Sequence, residues 1–143
     1  VQEFELQAEQ SRVSLLIDPR DEAVSVYADI NLIQRVLENL VGNALKYTPE
    51  NGKVSISVRA SSSAVDIAVE DTGPGIPQRA LPHIFDRFYK ADPDDARGNG
   101  SMGLGLAIAK RILELHSSEI RVLSEEQRGT RFEFDLPLHA RAA

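Results

Sequence analysis

The chain contains no cysteine and no tryptophan, and it has a single methionine. The lack of cysteine excludes disulfide frameworks, thiolate chemistry and cysteine-based metal sites. Basic residues are fewer than acidic ones, 16 against 22, and the net charge is −6. This balance argues against a protein that binds nucleic acid through a basic surface. The apolar runs are also far too short to span a membrane.

The residues that are present are typical of one globular domain. Hydrophobic residues make up 42% and charged residues 27% of the 143 residues, which is enough for a single core. No internal repeat or domain boundary is visible. Because the chain begins at Val1 rather than at a methionine, we expect a fragment of a longer protein. A cytoplasmic location fits its composition.

The spacing of the hydrophobic residues predicts strands and helices in alternation. Strands are expected at Arg12–Ile17, Val24–Tyr27, Val54–Val58, Val65–Val69, Ile120–Ser124 and Phe132–Leu136. Helices are expected at residues 1–10, Asp29–Tyr47 and Ala107–His116, with a helical turn at Pro77–Leu81. Turns are expected at Asn51-Gly52, of the hairpin type, and at Arg128–Thr130. Antiparallel hairpins with helices gathered on one face predict an α+β sandwich.

A glycine-rich stretch runs from Gly98 to Gly105 and precedes the second long helix. Glycines let backbone N–H groups approach a phosphate, and a helix N-terminus adds unpaired donors and partial positive charge. The spacing Gly98-x-Gly100-x-x-Gly103 matches a dinucleotide fingerprint, but the aspartate-rich segment before it cannot be the strand that this fingerprint requires. Taken alone, the stretch is as typical of a linker as of a phosphate site.

A polar stripe lies within the first long helix. Asn39, Asn43 and Lys46 are spaced at i, i+4 and i+7, so they share one side of the helix. Asparagine is unfavourable inside helices, and one such residue alone would be expected to face solvent. Two at this spacing favour a site in which an amide oxygen completes the shell of a magnesium ion and the lysine pairs with phosphate.

Asp71 breaks the pattern of its strand. It has the same parity as Val65, Ile67 and Val69, so it is expected to point into the core, where a carboxylate is costly unless it is hydrogen-bonded. It could cap the following turn through the N–H groups of residues 72 and 73. It could equally accept a hydrogen bond from an amino group of a bound base. The pattern leaves both interpretations open.

The segment Ile84–Lys90 mixes aromatic and basic residues. Phe85 and Phe88 could be core anchors of a short amphipathic segment. Alternatively, Arg87 or Lys90 could contact a phosphate from a movable lid.

Four blocks in this order resemble the N box, first glycine box, F box and second glycine box of sensor histidine kinase catalytic domains, which bind ATP. The blocks are Asn39–Pro49, Asp71–Ile76, Ile84–Tyr89 and Gly98–Leu106. Gly129–Pro137 resembles the closing strand of that family, and the resemblance covers nearly all of Val13–Leu138. The family shares its fold with gyrase, heat-shock chaperones and mismatch-repair ATPases.

The resemblance implies a Bergerat-type α+β fold. In such a fold a mixed sheet of about five strands packs against about three helices, and a flexible ATP lid lies between the F box and the second glycine box. Residues 1–12 would be the end of a linker from a dimerisation and phosphoacceptor region, and residues 13–143 would be the catalytic ATP-binding domain. The domain is expected in the cytoplasm, whether or not its parent protein is anchored to a membrane.

The resemblance also implies roles for individual residues. Asn43 would ligate Mg²⁺, with Asn39 one turn earlier in the same pocket, and Asp71 would bind the exocyclic amine of adenine. Asn39, Lys46 and Arg87 would form the catalytic set, with Arg87 near the γ-phosphate. The other nucleotide contacts implied are Tyr47, Gly73, Gly75, Ile76, Phe88, Lys90, Gly100, Ser101, Met102, Gly103, Leu104, Gly105, Leu106 and Thr130.

The residue type at the position of Asn39 distinguishes the ATP-hydrolysing members of this fold from the kinases. Hydrolysing relatives have a glutamate there that activates water, and an amide cannot act as that general base. Glu38 is adjacent but rotated by about 100° around the helix. The pocket is therefore expected to hold Mg-ATP for an external nucleophile, since none of the histidines, His83, His116 and His139, fits the family's phosphoacceptor motif.

The expected partners are the histidine-bearing dimerisation domain of the same parent protein and, indirectly, a response regulator, with the fragment itself monomeric. Three alternatives stay open at this point. They are a hydrolytic ATPase of the same fold, a serine kinase that acts on an anti-sigma-factor partner, and an interaction module without nucleotide.

Overall fold

The computed structural model describes residue 9 and residues 12–18, 30–61, 63–87 and 104–137. The strands are β1 (Ser14–Asp18), β2 (Lys53–Ala60), β3 (Ala64–Asp71), β4 (Arg121–Glu125) and β5 (Gly129–Pro137). The helices in these ranges are α1 (Ile30–Tyr47) and α2 (Gly105–Leu115), with a 3₁₀ turn at Leu81–His83. The predicted α+β class is confirmed.

The five described strands form one sheet with the order β1-β2-β3-β5-β4. β1 runs parallel to β2, whereas the β2–β3, β3–β5 and β5–β4 pairs are antiparallel. The mixed five-stranded sheet implied by the family resemblance is therefore present. Its central strand is β3, which carries Asp71 at its C-terminal end.

The core lies between the sheet and the two helices. Both helices bury one apolar stripe, and β2, β3 and β5 contribute every second residue to the same cluster, as period-two alternation requires. Neither helix in the described ranges has the length and hydropathy of a membrane-spanning segment. The fully buried large side chains include Val36, Leu40, Val41, Val65, Val69, Leu113, Phe134 and Leu136.

The opposite face of the sheet is polar. Asp66 and Glu70 of β3 are exposed there, as their parity predicts. Arg131 of β5 donates hydrogen bonds to Glu70 and Glu133 at 2.9 Å each. The sheet therefore has one core-facing side and one charged side.

Several boundaries differ from those predicted. α2 begins at Gly105 instead of Ala107, and β1 covers 14–18 instead of 12–17. The turn between β4 and β5 is Glu126–Arg128, because residue 130 already pairs with strand partners on both sides. The Asn51-Gly52 turn joins α1 to β2 and is not a hairpin between two strands. The 3₁₀ turn lies at 81–83, after a turn at 78–80.

Residue 9 is helical, and the rest of the predicted helix at residues 1–10 lies outside the described residues, as do the predicted strand Val24–Tyr27 and the predicted lid after residue 87.

Two glycines hold the β4–β5 turn against the loop that follows Asp71. Gly129 has a φ of 104°, and a Cβ atom there would collide with the carbonyl oxygen of Asp71. Gly75 has a φ of 76°, and a Cβ atom there would collide with the carbonyl oxygen of Glu125. Only glycine combines such a φ with such a close backbone approach.

Substituting Gly129→Ala should destabilise the domain by roughly 2–4 kcal/mol, because the new methyl group adds backbone strain to a steric collision. Urea unfolding followed by circular dichroism measures this loss. Gly105→Ala is the matched control, since its Cβ would meet the Asn39 side chain at an ordinary 3.8 Å. Because alanine favours helix, the control should be unchanged or more stable by up to about 1 kcal/mol. Equal midpoints for Gly129→Ala and wild type would contradict this account of the turn.

Candidate functional site

A row of polar side chains crosses one end of the sheet on its core-facing side. Asp71 of β3 lies directly opposite Thr130 of β5, and Thr130 lies directly opposite Ser124 of β4. Residues in register on neighbouring strands point to the same face, so the three side chains are neighbours. Thr130 is buried and Ser124 is half-buried. This row forms one end of the candidate site.

Asp71 points into the interior, as its parity predicts, and is only 9% exposed. Burial raises the pKa of its carboxyl group; the backbone N–H groups of Gly73 and Thr130 lower that pKa in part, and the charge of Glu70 raises it further. Gly73 donates a hydrogen bond to Oδ1 at 2.8 Å, so Asp71 does cap the turn. The N–H of Thr72, which was also expected to take part, bonds instead to the carbonyl oxygen of Lys53 at 3.0 Å.

The hydrogen bond that caps the turn leaves acceptor sites of the Asp71 carboxylate available. An ionised aspartate has two oxygens with about four acceptor sites between them, and backbone donors occupy only some of these. The turn-capping and base-binding interpretations are therefore compatible.

The loop after Asp71 is fixed at both of its sides. Ile76 donates its backbone N–H to Oγ of Ser124 at 2.7 Å, and the N–H of Gln127 bonds to the carbonyl oxygen of Pro74 at 2.6 Å. A Cβ atom on Gly73 would lie 3.3 Å from the carbonyl oxygen of Tyr47, so the loop also lies against the C-terminal end of α1. These contacts place the loop between α1 and the β4–β5 turn.

Gly75 has a structural reason to be glycine. The family resemblance implies a nucleotide contact at Gly75, but the space of its missing side chain is filled by the backbone of Glu125. The close approach to the β4–β5 turn therefore already requires glycine at this position. A role for Gly75 in an adenine wall stays a prediction.

The polar stripe of α1 lies at the border of the core. Asn39, Asn43 and Lys46 are all half-buried, so the interpretation in which they face open solvent is wrong. Nδ2 of Asn39 is buried and has no hydrogen-bond partner among the described residues. Glu38 is exposed and accepts a hydrogen bond from Gln34 at 3.2 Å, so it points away from the stripe, as predicted.

The N-terminus of α2 lies beside Asn39. A Cβ atom on Gly105, the first residue of α2, would lie 3.8 Å from Cγ and Oδ1 of Asn39. Within the described residues no side chain caps this helix end, and its first turn contains no acidic residue. Helix N-termini leave unpaired N–H donors and partial positive charge. Among the described residues, the second end of the site therefore combines Nδ2 of Asn39, which has no partner, with the uncapped N-terminus of α2, and this combination suits an anion.

The two ends are separated by the length of α1 between Asn39 and Tyr47. Eight residues of helix correspond to about 12 Å. Asp71 and Gly73 lie at the Tyr47 end, whereas Gly105 lies at the Asn39 end. The site therefore suits an elongated ligand with a donor group at one end and negative charge at the other.

The remaining predicted residues are distributed as follows. Nζ of Lys46 lies 5.0 Å from the ring centroid of Tyr47, which keeps both on the α1 side of the site. Ile76 packs against the core, and Leu104 and Leu106 are half-buried around the start of α2.

Arg87 is exposed. Phe88, Lys90, Gly100, Ser101, Met102 and Gly103 lie outside the described residues.

Phe85 acts as the core anchor that one interpretation of the F box predicted. Its ring lies edge-on to Phe132 with centroids 6.2 Å apart, and Nζ of Lys110 lies 5.7 Å from its centroid.

Sequence reasoning missed Ser124. The residue was assigned to its strand, but its polar side chain at a core-facing position was not singled out. The parity argument applied to Asp71 would have identified it.

Comparison with known proteins gives the family. Residues 28–140 match the family described as histidine kinase-, DNA gyrase B- and HSP90-like ATPase. The sensor histidine kinase WalK of Bacillus subtilis (strain 168) is 40% identical over 139 residues, which are 96% of this chain and 23% of WalK. The adaptive-response sensory kinase SasA of Crocosphaera subtropica is 36% identical over 131 residues, 91% of this chain and 34% of SasA. The chain thus spans about a quarter to a third of these relatives.

Solved structures give the same result. The nucleotide-free catalytic domain of histidine kinase ThkA aligns with a TM-score of 0.82 and 32% identity, covering 96% of this chain and 86% of that one. Full-length ShkA in complex with AMPPNP aligns with a TM-score of 0.81 and 29% identity, covering 99% of this chain and 30% of ShkA. This chain therefore belongs to the histidine kinase-, DNA gyrase B- and HSP90-like ATPase family, as a catalytic ATP-binding domain of the sensor histidine kinase type.

Proposed function

We propose that this domain binds Mg-ATP along α1 and donates the γ-phosphate to a histidine on a separate dimerisation domain, which is the autophosphorylation step of two-component signalling. The observation that carries the proposal is that the candidate site has two chemically different ends. Asp71 supplies a buried acceptor at one end. At the other end, Nδ2 of Asn39 and the start of α2, which have no side-chain partner among the described residues, supply an anion site. The AMPPNP complex of ShkA supports the choice of an adenine nucleotide.

Asp71 and Thr130 are proposed to recognise the base. An ionised carboxylate only accepts hydrogen bonds, so it suits the exocyclic amine of adenine. The Thr130 hydroxyl lies directly opposite Asp71 and is suited to donate to the neighbouring N1 acceptor. Guanine has a carbonyl oxygen in place of the amine, and the carboxylate would repel it. The pair therefore favours adenine over guanine.

The Asn39 end is proposed to hold the phosphates and the metal. The described residues contain no group of three histidine, cysteine, aspartate or glutamate side chains that could hold a metal ion. This suits Mg²⁺, which prefers few protein ligands together with phosphates and water. Asn43 would supply one amide oxygen, and Lys46 would pair with phosphate oxygens. The ion itself would neutralise negative charge on the phosphates.

The nucleophile is proposed to come from outside the domain. Asn39 cannot act as a general base, and Glu38 points away from the stripe. Catalysis would then consist of positioning and charge neutralisation by Lys46, Arg87 and Mg²⁺. The exposed position of Arg87 suits contact with the γ-phosphate as an acceptor domain approaches.

The proposed partners are the dimerisation domain of the same parent protein and, downstream, a response regulator. A structure of histidine kinase ThkA in complex with the response regulator TrrA aligns with this chain at 29% identity over 96% of this chain. We propose that the fragment itself is monomeric and that the parent protein places it in the cytoplasm.

Substituting Asp71→Asn should weaken binding of Mg-ATP about ten- to a hundredfold, because one charge-assisted hydrogen bond to the base is lost, a change of about 1.5–3 kcal/mol. Calorimetric titration measures the affinity. Asp66→Asn is the matched control, since Asp66 lies on the same strand but is exposed on the charged face. It should bind ATP as the wild type does. Failure of the folded wild type to bind ATP would refute the proposed function.

The raised pKa of Asp71 sets the sign of two pH effects. The folded state holds this proton more tightly than the unfolded state, so the group stabilises the fold fully only below its unfolded pKa, and this stabilisation is lost as the pH rises through the folded pKa. At neutral pH Asp71→Asn should therefore unfold at the same urea concentration as wild type or at a higher one. Wild-type ATP affinity should fall as the pH is lowered through the raised pKa, and the variant should lack this dependence. A variant that unfolds more readily at neutral pH would assign Asp71 a structural role.

The wild-type domain alone should hydrolyse ATP very slowly. Asn39→Glu should raise steady-state hydrolysis by about 10²-fold or more, because it places a general base beside the phosphates. Asn39→Gln keeps the amide and is the matched control, and it should stay as slow as wild type. Phosphate release assays measure all three. Fast turnover by the wild type would contradict the kinase proposal and favour a hydrolytic ATPase.

A further inference from the structure

Ser124 is the one member of the polar row that has been given no role. Its Oγ lies 2.7 Å from the backbone nitrogen of Ile76, 2.9 Å from Oγ1 of Thr130 and 3.0 Å from the carbonyl oxygen of Gly129. The side chain thus connects the loop after Asp71 to the strand that carries Thr130.

The number of hydroxyl hydrogens in this cluster permits two arrangements of its hydrogen bonds. A hydroxyl has one hydrogen and two lone pairs, and one lone pair of Ser124 accepts the N–H of Ile76. If Ser124 donates to Gly129, Thr130 must donate to Ser124, and its hydrogen is consumed. If Ser124 donates to Thr130, the hydrogen of Thr130 is free to point at a ligand. The direction of the bond between the two hydroxyls thus decides whether Thr130 can donate to a base.

We propose that Ser124 is a positioning residue for base recognition. In the nucleotide complex it donates to Oγ1 of Thr130, and Thr130 then donates to N1 of adenine. The same oxygen accepts the N–H of Ile76, which holds the loop after Asp71 in place beside the base. The inference rests on the proposed function, since it concerns the adenine end of the same site.

Substitution of Ser124 separates this role from simple loop support. Ser124→Ala removes the hydroxyl that orients Thr130, so the Thr130 hydroxyl can rotate away from N1, and ATP affinity should fall about tenfold more than the affinity for 1-deaza-ATP, which has C–H in place of N1. Loss of loop support alone would weaken both nucleotides equally, because both carry the 6-amino group. Ser124→Thr keeps a hydroxyl and should restore the wild-type ratio of the two affinities. Ser57→Ala, on the charged face of β2, is the matched control and should leave both affinities unchanged.

A double-mutant cycle tests whether Ser124 acts through Thr130. Thr130→Val removes the hydroxyl that contacts the base, and adding Ser124→Ala to it should not change the ratio of the two affinities further. Calorimetry measures each affinity, and circular dichroism shows that each variant is folded.

Two results would overturn the inference alone. One is an equal loss for ATP and 1-deaza-ATP in Ser124→Ala, and the other is a full additional effect in the Thr130→Val background. Absence of ATP binding by the wild type would instead overturn the proposed function and this inference with it.

Discussion

The burial of the Asp71 carboxylate at the end of the central strand is the constraint on which the rest of the site depends. A carboxylate in this position is costly unless donors surround it. Backbone N–H groups of Gly73 and Thr130 stabilise its charge, but burial still raises its pKa. The backbone donors therefore offset only part of the desolvation cost of the charged carboxylate. A ligand that donates a further hydrogen bond to Asp71 would offset more of it, and this suits a binding group. Residues with perturbed pKa values are also enriched at functional sites.

Close backbone packing around Asp71 explains why two positions, 75 and 129, are occupied by glycine. Gly129 lies against the carbonyl group of Asp71, and Gly75 lies against that of Glu125. Both have positive φ angles. They bring the β4–β5 turn into contact with the loop after β3, and the hydrogen bonds of Ser124 complete this contact. Part of the glycine content of the proposed nucleotide site thus serves to assemble its walls. Gly105, in contrast, lies beside the side chain of Asn39, whose Nδ2 has no hydrogen-bond partner among the described residues.

The sequence predicts the features that depend on local periodicity. The inward direction of Asp71 follows from strand alternation, and the common side of Asn39 and Asn43 follows from helical spacing. The order of four motifs predicts the family and the mixed sheet. What could not be predicted depends on contacts between distant segments. The N–H of Thr72 bonds to Lys53 because β2 lies beside β3, and Ser124 reaches Ile76 because the loop after β3 packs against the end of the β4–β5 hairpin. Helix and turn boundaries shifted because strand pairing and helix packing extend elements past their hydrophobic residues.

The central claim is that one nucleotide lies along α1, with its base at Asp71 and its phosphates beside Asn39 and Gly105. A crystal structure of the domain with Mg²⁺ and a non-hydrolysable ATP analogue tests this most directly. The account predicts the exocyclic amine within hydrogen-bonding distance of the Asp71 carboxylate, N1 on the side of Thr130, and the phosphates at the N-terminus of α2. A base bound away from Asp71, or a nucleotide in the reverse orientation, would contradict it.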